Sequence, residues 1–240
     1  MDKLKRFSIC IRETIATLIC QERYYEPAIK RIRELRMDIR GYIEKYPDFG
    51  RSYSPREARR DAPDVIKGMA EASAICGVGP MACVAGAVAC GVVRTLADAG
   101  ARHIVFDNGG DIALFIDSPV RIGIYSGQMK KSSPAFYVKP RPGIFGICTS
   151  SARIGHSESF GVTDAATVVS GSVMLADAMA TALGNDIKST ELSVIRKRIK
   201  NRMIPGIEGI MVIVGEYTAL CGNLPEIVQA EAFSEKIAKA

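Results

Sequence analysis

The sequence lacks several residues and motifs on which common enzyme classes depend. Its 240 residues contain no tryptophan and only two histidines, His103 and His156. No Gly-Lys-Ser or Gly-Lys-Thr occurs, which excludes a P-loop nucleotide site. None of the seven cysteines belongs to a Cys-x-x-Cys pair, so neither a disulfide framework nor a zinc ribbon is predicted.

Long uninterrupted apolar runs are also missing, although 48% of the residues are hydrophobic. Arg94 and Asp98 interrupt the longest run, which begins at Ile75, so no membrane span is expected. Charged residues and a strand-like segment follow Met1, where a signal peptide would have an apolar core. We therefore expect a cytoplasmic protein with one domain over residues 1–240.

The positive charge is concentrated at the N-terminus. Residues 1–60 contain 15 Lys and Arg against 9 Asp and Glu, whereas the remaining 17 of each sign balance. The charges of the predicted helix in this quarter are mixed in sign, which is typical of a solvated surface. Nucleic acid is therefore not the expected partner, and the sequence leaves a homo-oligomer open.

Hydrophobic periodicity predicts an α+β fold with a mainly antiparallel sheet and packed helices, because helices and strands follow one another in groups. Residues 7–20 alternate as one long strand or a hairpin, and 26–46 have the spacing of an amphipathic helix. Gly77-x-Gly79-x-x-Ala82 matches a dinucleotide fingerprint, but helical residues precede it, so a Rossmann fold is rejected. Further helices are predicted over 63–74, 80–100 and 187–202, and strands over 103–107, 112–116, 120–125, 143–149, 167–170 and 210–221.

The segment from Ser170 to Gly184 predicts a helix of small residues with two polar side chains inside it. Asp177 and Thr181 are four residues apart and therefore share one face, where a carboxylate and a hydroxyl could hold a hard cation. Ser170 or Ser172 is expected to cap its start, and Gly184 its end in a left-handed conformation. A buried hydrogen bond to a neighbouring backbone amide would equally explain Asp177.

Two further polar segments interrupt apolar ones. The first is Asn108-Gly109-Gly110-Asp111, in which adjacent glycines indicate a turn, a bulge or a close backbone approach. The second is the loop over residues 150–161, which contains His156. Exposed glycine amides would bind an anion, Asp and Thr oxygens would bind Mg²⁺, and His156 would serve as a base. Together these three segments predict a metal-assisted diphosphate site.

These ordered motifs resemble those of the ApbE superfamily of flavin transferases. The matching segments are Asn108–Asp111, Cys148-Thr149-Ser150-Ser151, the histidine loop and Ala176–Thr181. The resemblance covers about residues 70–220 and implies an α+β fold, FAD as substrate and Mg²⁺ as cofactor. It also implies transfer of FMN to a threonine or serine of a target flavoprotein.

The resemblance assigns a role to each matching residue. Asp177 and Thr181 take the metal positions, and His156 takes the position of the histidine that deprotonates the acceptor hydroxyl. The nucleotide positions are Asn108, Gly109, Gly110, Asp111, Thr149 and Ser150.

The chain departs from the family pattern at two places. Residues 157–161 replace its Asp-Pro-x-Thr-Gly turn, and 85–90 replace its Lys-Gly-Tyr-x-x-Asp helix without the lysine or aspartate. FAD hydrolysis, or flavin or nucleotide binding without catalysis, therefore stays open beside FMN transfer.

Overall fold

The computed structural model describes residues 3–124, 132–151 and 162–231. The helices in these ranges are α1 Tyr25–Lys45, α2 Pro47–Arg51, α3 Asp64–Cys76, α4 Val84–Asp98, α5 Val173–Asp186 and α6 Leu192–Asn201. The strands are β1 Leu4–Ile11, β2 Thr14–Gln21, β3 Ile104–Asn108, β4 Asp111–Phe115, β5 Val120–Gly123, β6 Ser132–Val138, β7 Phe145–Ser150, β8 Ala165–Ser170, β9 Ile207–Val214, β10 Tyr217–Gly222 and β11 Glu226–Glu231.

The strands form two sheets. The larger has eight strands in the order β1-β2-β3-β4-β7-β8-β9-β10, and every neighbouring pair in it is antiparallel. The smaller has the order β11-β6-β5 and is also antiparallel. Most neighbours in the large sheet are consecutive in the chain, and three pairs, β1-β2, β3-β4 and β9-β10, are tight hairpins.

Side chains alternate between the two faces of the large sheet along each strand, and both faces are buried. Phe106, Ala113 and Cys148 belong to one core cluster, which also contains the buried side chains of α1, α3, α4 and α5. Val105 and Ile147 belong to a second cluster, shared with β6 of the small sheet. The protein therefore has three layers, with helices on one face of the large sheet and the small sheet on the other.

The predicted α+β class with a mainly antiparallel sheet is confirmed. The segment over 7–20 is a hairpin, β1-β2, and its strands join the same sheet as the rest of the chain. The basic N-terminal quarter is therefore part of the common core, because α1 also packs on α3 and α4. Strands β6 and β11 were not predicted, since their sequences are short and interrupted by polar residues.

One local prediction was wrong. Gly184 does not cap α5 but lies inside it, and the helix continues to Asp186 because Ile187 still donates its amide to Leu183. Of the alternatives for Gly109 and Gly110, the turn is confirmed and the bulge is not. They are the two central residues of a tight hairpin turn, with φ of 71° and 103°, between the paired residues Asn108 and Asp111.

One stretch, Pro80–Asp98, is long and apolar enough to cross a membrane by length and composition alone. It consists of a short 3₁₀ turn and α4, and more than half of it is buried within the protein. Helix α4 packs on β3 and β4 and contacts α1 and α5, as the central helix of a folded core does.

Candidate metal and nucleotide site

The first turn of α4 lies directly against the middle of α5. Gly86 makes this approach possible, because a Cβ atom at this position would lie 2.8 Å from Cβ of Asp177 and 3.1 Å from the carbonyl oxygen of Val173. Those distances are shorter than real Cβ contacts, so any larger residue would push the two helices apart.

Asp177 and Thr181 of α5 contact the start of α4 and the 3₁₀ turn that precedes it. The amide of Gly86 donates to Oδ2 of Asp177 at 2.7 Å, and Oγ1 of Thr181 donates to the carbonyl oxygen of Ala82 at 3.1 Å. The first amides of a helix have no partner within it, so the Asp177 carboxylate caps α4 from a neighbouring helix. Asp177 is 5% exposed and Thr181 is partly exposed.

The β3-β4 hairpin supplies the next two polar groups of the site. Asn108 and Asp111 face each other across its turn, on the helix-facing side of the sheet. Nδ2 of Asn108 donates to the carbonyl oxygen of Ala85 at 3.1 Å, and the carboxyl group of Asp111 hydrogen-bonds to that of Asp177. The hairpin and α5 therefore converge on the start of α4.

The two carboxyl groups form a buried pair with perturbed titration. Burial raises the pKa of Asp111 well above its usual value, and the nearby negative charge of Asp177 raises it further. Burial also raises the pKa of Asp177 to about 7, against the opposing effect of the Gly86 amide. Without a cation, Asp111 therefore holds a proton and donates it to Asp177, since two buried carboxylates in contact cannot both ionise freely.

The donors fit a hard divalent cation. Two carboxylates, a hydroxyl and helix-terminal carbonyl groups are all oxygen ligands, and Mg²⁺ is typically held by one or two carboxylates together with substrate phosphates. Within the described ranges, no group of three or more His, Cys, Asp or Glu side chains could hold a metal ion. The set would therefore need further oxygens from a substrate, as is usual for Mg²⁺ at a diphosphate.

The hairpin turn has fewer unpaired backbone amides for an anion than the sequence predicted. The amide of Gly110 donates to Oδ1 of Asp107 at 2.9 Å, and its carbonyl accepts from the amide of Thr149 at 3.1 Å. The Gly110 amide is therefore already paired in this conformation, which leaves Gly109 as the turn residue with an amide to offer.

The other predicted nucleotide residues lie at the end of β7. Thr149 alternates with the helix-facing Cys148, so its side chain is on the opposite face of the sheet, where its Oγ1 lies 2.9 Å from that of Thr167. Ser150 returns to the helix-facing side at the end of the strand and is half-buried. The structure brings Asn108, Asp111, Asp177 and Thr181 together, but it does not direct the side chain of Thr149 toward them.

The predicted base, His156, falls in residues 152–161, outside the described residues. The histidine within them, His103, has other partners, because its Nδ1 lies 2.9 Å from Oδ1 of Asp117 and 3.1 Å from Oγ of Ser118.

Three buried thiols surround the carboxyl pair. Burial raises the pKa of Cys83 and Cys148 well above the usual value, and that of Cys76 to about 12. Negative charge on Asp177 contributes in each case. The thiols therefore stay protonated and act as core packing.

The residues of the 3₁₀ turn and of α4 that complete the site were not predicted from the sequence. These are Ala82, Ala85 and Gly86, whose contribution comes from the backbone and leaves no mark in side-chain chemistry. One signal was available, because Gly86 stands at the glycine of the segment aligned with the Lys-Gly-Tyr helix of the ApbE superfamily. A glycine inside a predicted helix often marks a close approach.

The layered fold defines a class, the α+β proteins built like ApbE flavin transferases. The structure matches Pseudomonas stutzeri flavinyl transferase ApbE in its apo form, with a TM-score of 0.57 at 14% identity over 92% of this chain and 94% of that one. It also matches the flavin transferase ApbE of Vibrio cholerae, with a TM-score of 0.55 at 13% identity over 91% and 96% of the chains. The predicted resemblance to this superfamily is confirmed.

The chain belongs to the family whose model is described as "AbpE bacteria", which matches residues 6–205. It is 45% identical to the UPF0280 protein of Methanocella arvoryzae over 95% of this chain and 93% of that protein. It is 42% identical to the UPF0280 protein of Archaeoglobus fulgidus over 98% and 100%.

Proposed function

We propose that the protein is a Mg²⁺-dependent transferase that acts on FAD and moves FMN to a threonine or serine of a target flavoprotein. The observation that carries this proposal is the buried Asp111–Asp177 pair beside the Thr181 hydroxyl. Such a pair is costly in a protein interior unless a proton or a cation compensates its charge.

The described residues have separate tasks in this proposal. Asp177 and Thr181 would hold Mg²⁺, and Asp111 would supply a second carboxylate once its proton has left. The ion would neutralise the charge that develops on the diphosphate. Asn108, Gly109 and Gly110 would position the nucleotide from the hairpin turn, and Ser150 from the end of β7, where the Thr149 side chain faces the opposite side of the sheet.

The reaction exchanges the phosphoanhydride bond of FAD for a phosphoester bond to the acceptor. The acceptor hydroxyl oxygen attacks the phosphorus of the FMN half, the bond to the AMP half breaks, and AMP leaves with the bridging oxygen. His156, assigned from its place in the sequence, would take the hydroxyl proton. Positioning and charge stabilisation account for most of the rate in such transfers.

Two alternatives use the same site. In FAD hydrolysis, water takes the place of the acceptor hydroxyl and the products are free FMN and AMP. In a binding protein, FAD is held without reaction. Two observations favour binding without reaction. Position 85 is alanine where the superfamily pattern has lysine, and the amide of Gly110 is already paired with Asp107.

Product analysis distinguishes FMN transfer, FAD hydrolysis and FAD binding without reaction. The protein is incubated with FAD, Mg²⁺ and a threonine-containing acceptor peptide, and AMP, free FMN and peptide mass are measured. Transfer predicts AMP with an equal amount of FMN-modified peptide. Free FMN would indicate hydrolysis, and intact FAD that stays bound to the protein would indicate binding alone.

A further inference from the structure

Helix α6 presents an unusually basic surface to solvent. Ile195 and Ile199 bury one side of it against the core, and the helix contains no acidic residue. Its exposed side carries four cations, Arg196, Lys197, Arg198 and Lys200. At a rise of 1.5 Å per residue, these four charges lie within about 6 Å along the helix axis.

The basic residues of α1 are arranged differently. In α1, Lys30 and Arg31 both pair with Glu34, and Arg40 pairs with Glu44 at 2.7 Å. Among the described residues, the four cations of α6 have no acidic partner within salt-bridge distance. Arg196 and Lys200 are even a like-charged pair four residues apart, which destabilises a helix. This concentration of positive charge therefore adds little to the stability of the fold.

The position of α6 relates it to the loop that carries the predicted base. The carbonyl oxygen of Ile187, just after α5, accepts from the amide of Val162 at 3.0 Å. Residues 152–161 therefore rejoin the described chain next to the connection that leads into α6.

We propose that the basic face of α6, meaning Arg196, Lys197, Arg198 and Lys200, binds an acidic segment of the protein that accepts FMN. This proposal rests on the proposed function and names the chemistry of its protein substrate. Opposite charges would steer the acceptor toward the protein and hold a segment of it near the connection between α5 and α6, which Val162 contacts.

A polypeptide fits this surface better than a membrane or a nucleic acid. Helix α6 packs on β10, which ends the large sheet within the described residues and contains no charged side chain. The outer edge of such a strand offers backbone groups that only another polypeptide strand can pair with. Val194 is the only large apolar side chain exposed on α6, which is too little for insertion into a bilayer.

Direct binding tests the proposal without any need for turnover. Fluorescently labelled peptides of equal length, one rich in Glu and Asp and one rich in Lys, are titrated with the whole protein at low salt. We expect binding of the acidic peptide alone, weakened by salt. The R196E/K197E/K200E variant should bind it roughly tenfold more weakly, the size expected for losing three exposed charge contacts.

A matched variant controls for the change in net charge. R33E/R56E/R60E alters three exposed cations elsewhere and should bind within about twofold of the wild type. Equal weakening of both variants would overturn the proposal. So would tighter binding of single-stranded RNA, or of vesicles containing anionic lipid, than of the acidic peptide.

Failure of the docking proposal can be distinguished from failure of the proposed function. Arg196, Lys197 and Lys200 are exposed and, within the described residues, form no hydrogen bond or ion pair with Asp111, Asp177 or Thr181, so FAD binding by R196E/K197E/K200E should match the wild type. If FMN is transferred to acidic and basic peptides with equal efficiency, the docking proposal fails and the transferase survives. If the acidic peptide binds through α6 but no FMN is transferred, the docking surface survives and the proposed transferase function fails.

Discussion

The amide of Gly86 donates a 2.7 Å hydrogen bond to Oδ2 of Asp177, and this contact joins the start of α4 to the middle of α5. It caps one helix with a carboxylate from another and fixes the orientation of that carboxylate toward Asp111. Structural and chemical roles therefore meet in one side chain. The predictions below separate them.

The first prediction concerns pH. Asp177 has a pKa raised to about 7 by burial, so the folded state holds a proton that the unfolded chain releases near pH 4. Stability therefore falls as pH rises from about 4 to about 7, and the raised pKa of Asp111 adds to the fall in the same direction. D177N keeps an oxygen for the Gly86 amide but removes the titration of residue 177. In EDTA, the melting temperature of the wild type should therefore fall more than that of D177N as pH rises across this range. Parallel curves for the two proteins would contradict the raised pKa.

The second prediction concerns the close approach of the two helices. Gly86→Ala places a methyl group within 3.0 Å of Oδ2 of Asp177, so we expect a loss of about 1–3 kcal/mol in the free energy of unfolding. Gly41→Ala in α1 is the control, because nothing lies within 4 Å of its added methyl group and the helix should gain slightly. Urea unfolding of both variants measures the difference. Equal stability would mean that α4 and α5 separate easily.

The third prediction concerns the hydroxyl of Thr181. Thr181→Val keeps the shape of the side chain but removes the oxygen, and Mg²⁺ affinity should drop on the order of tenfold or more. Thr181→Ser retains the oxygen and should stay close to the wild type. The dependence of the melting temperature on Mg²⁺ concentration compares the two. A similar response from both would remove Thr181 from the metal site.

The fourth prediction separates the two faces of the sheet. Because the Thr149 side chain pairs with Thr167 on the face opposite Asp177, Thr149→Val should lower stability by about 1 kcal/mol. Its affinity for FAD, measured by flavin fluorescence, should change by less than about threefold. A large loss of affinity would show that the hydroxyl reaches the nucleotide after all, as its place in the family motif implies.

Much of this arrangement follows from the sequence because it depends on local patterns. The spacing of Asp177 and Thr181 placed both on one face of a helix, and Asn108–Asp111 carried the composition of a tight turn. The position of Gly86 did not follow, since its role depends on packing between segments about ninety residues apart. The face that Thr149 occupies did not follow either, because both faces of the sheet are buried and β7 shows no clear alternation of polar and apolar residues.

The end of α5 illustrates a different limit. Gly184 has the residue type of a left-handed cap, yet it lies inside the helix because that part of α5 is packed in the core. Tertiary packing overrides local propensity at such positions.

The central claim is that one site binds Mg²⁺ and FAD together through Asp177. Calorimetric titration of FAD into the wild type, with Mg²⁺ and then with EDTA, tests it most directly, with D177N as the matched variant. We predict that Mg²⁺ strengthens FAD binding at least tenfold in the wild type and has no effect in D177N. Equal FAD affinity with and without Mg²⁺ in the wild type would contradict the claim.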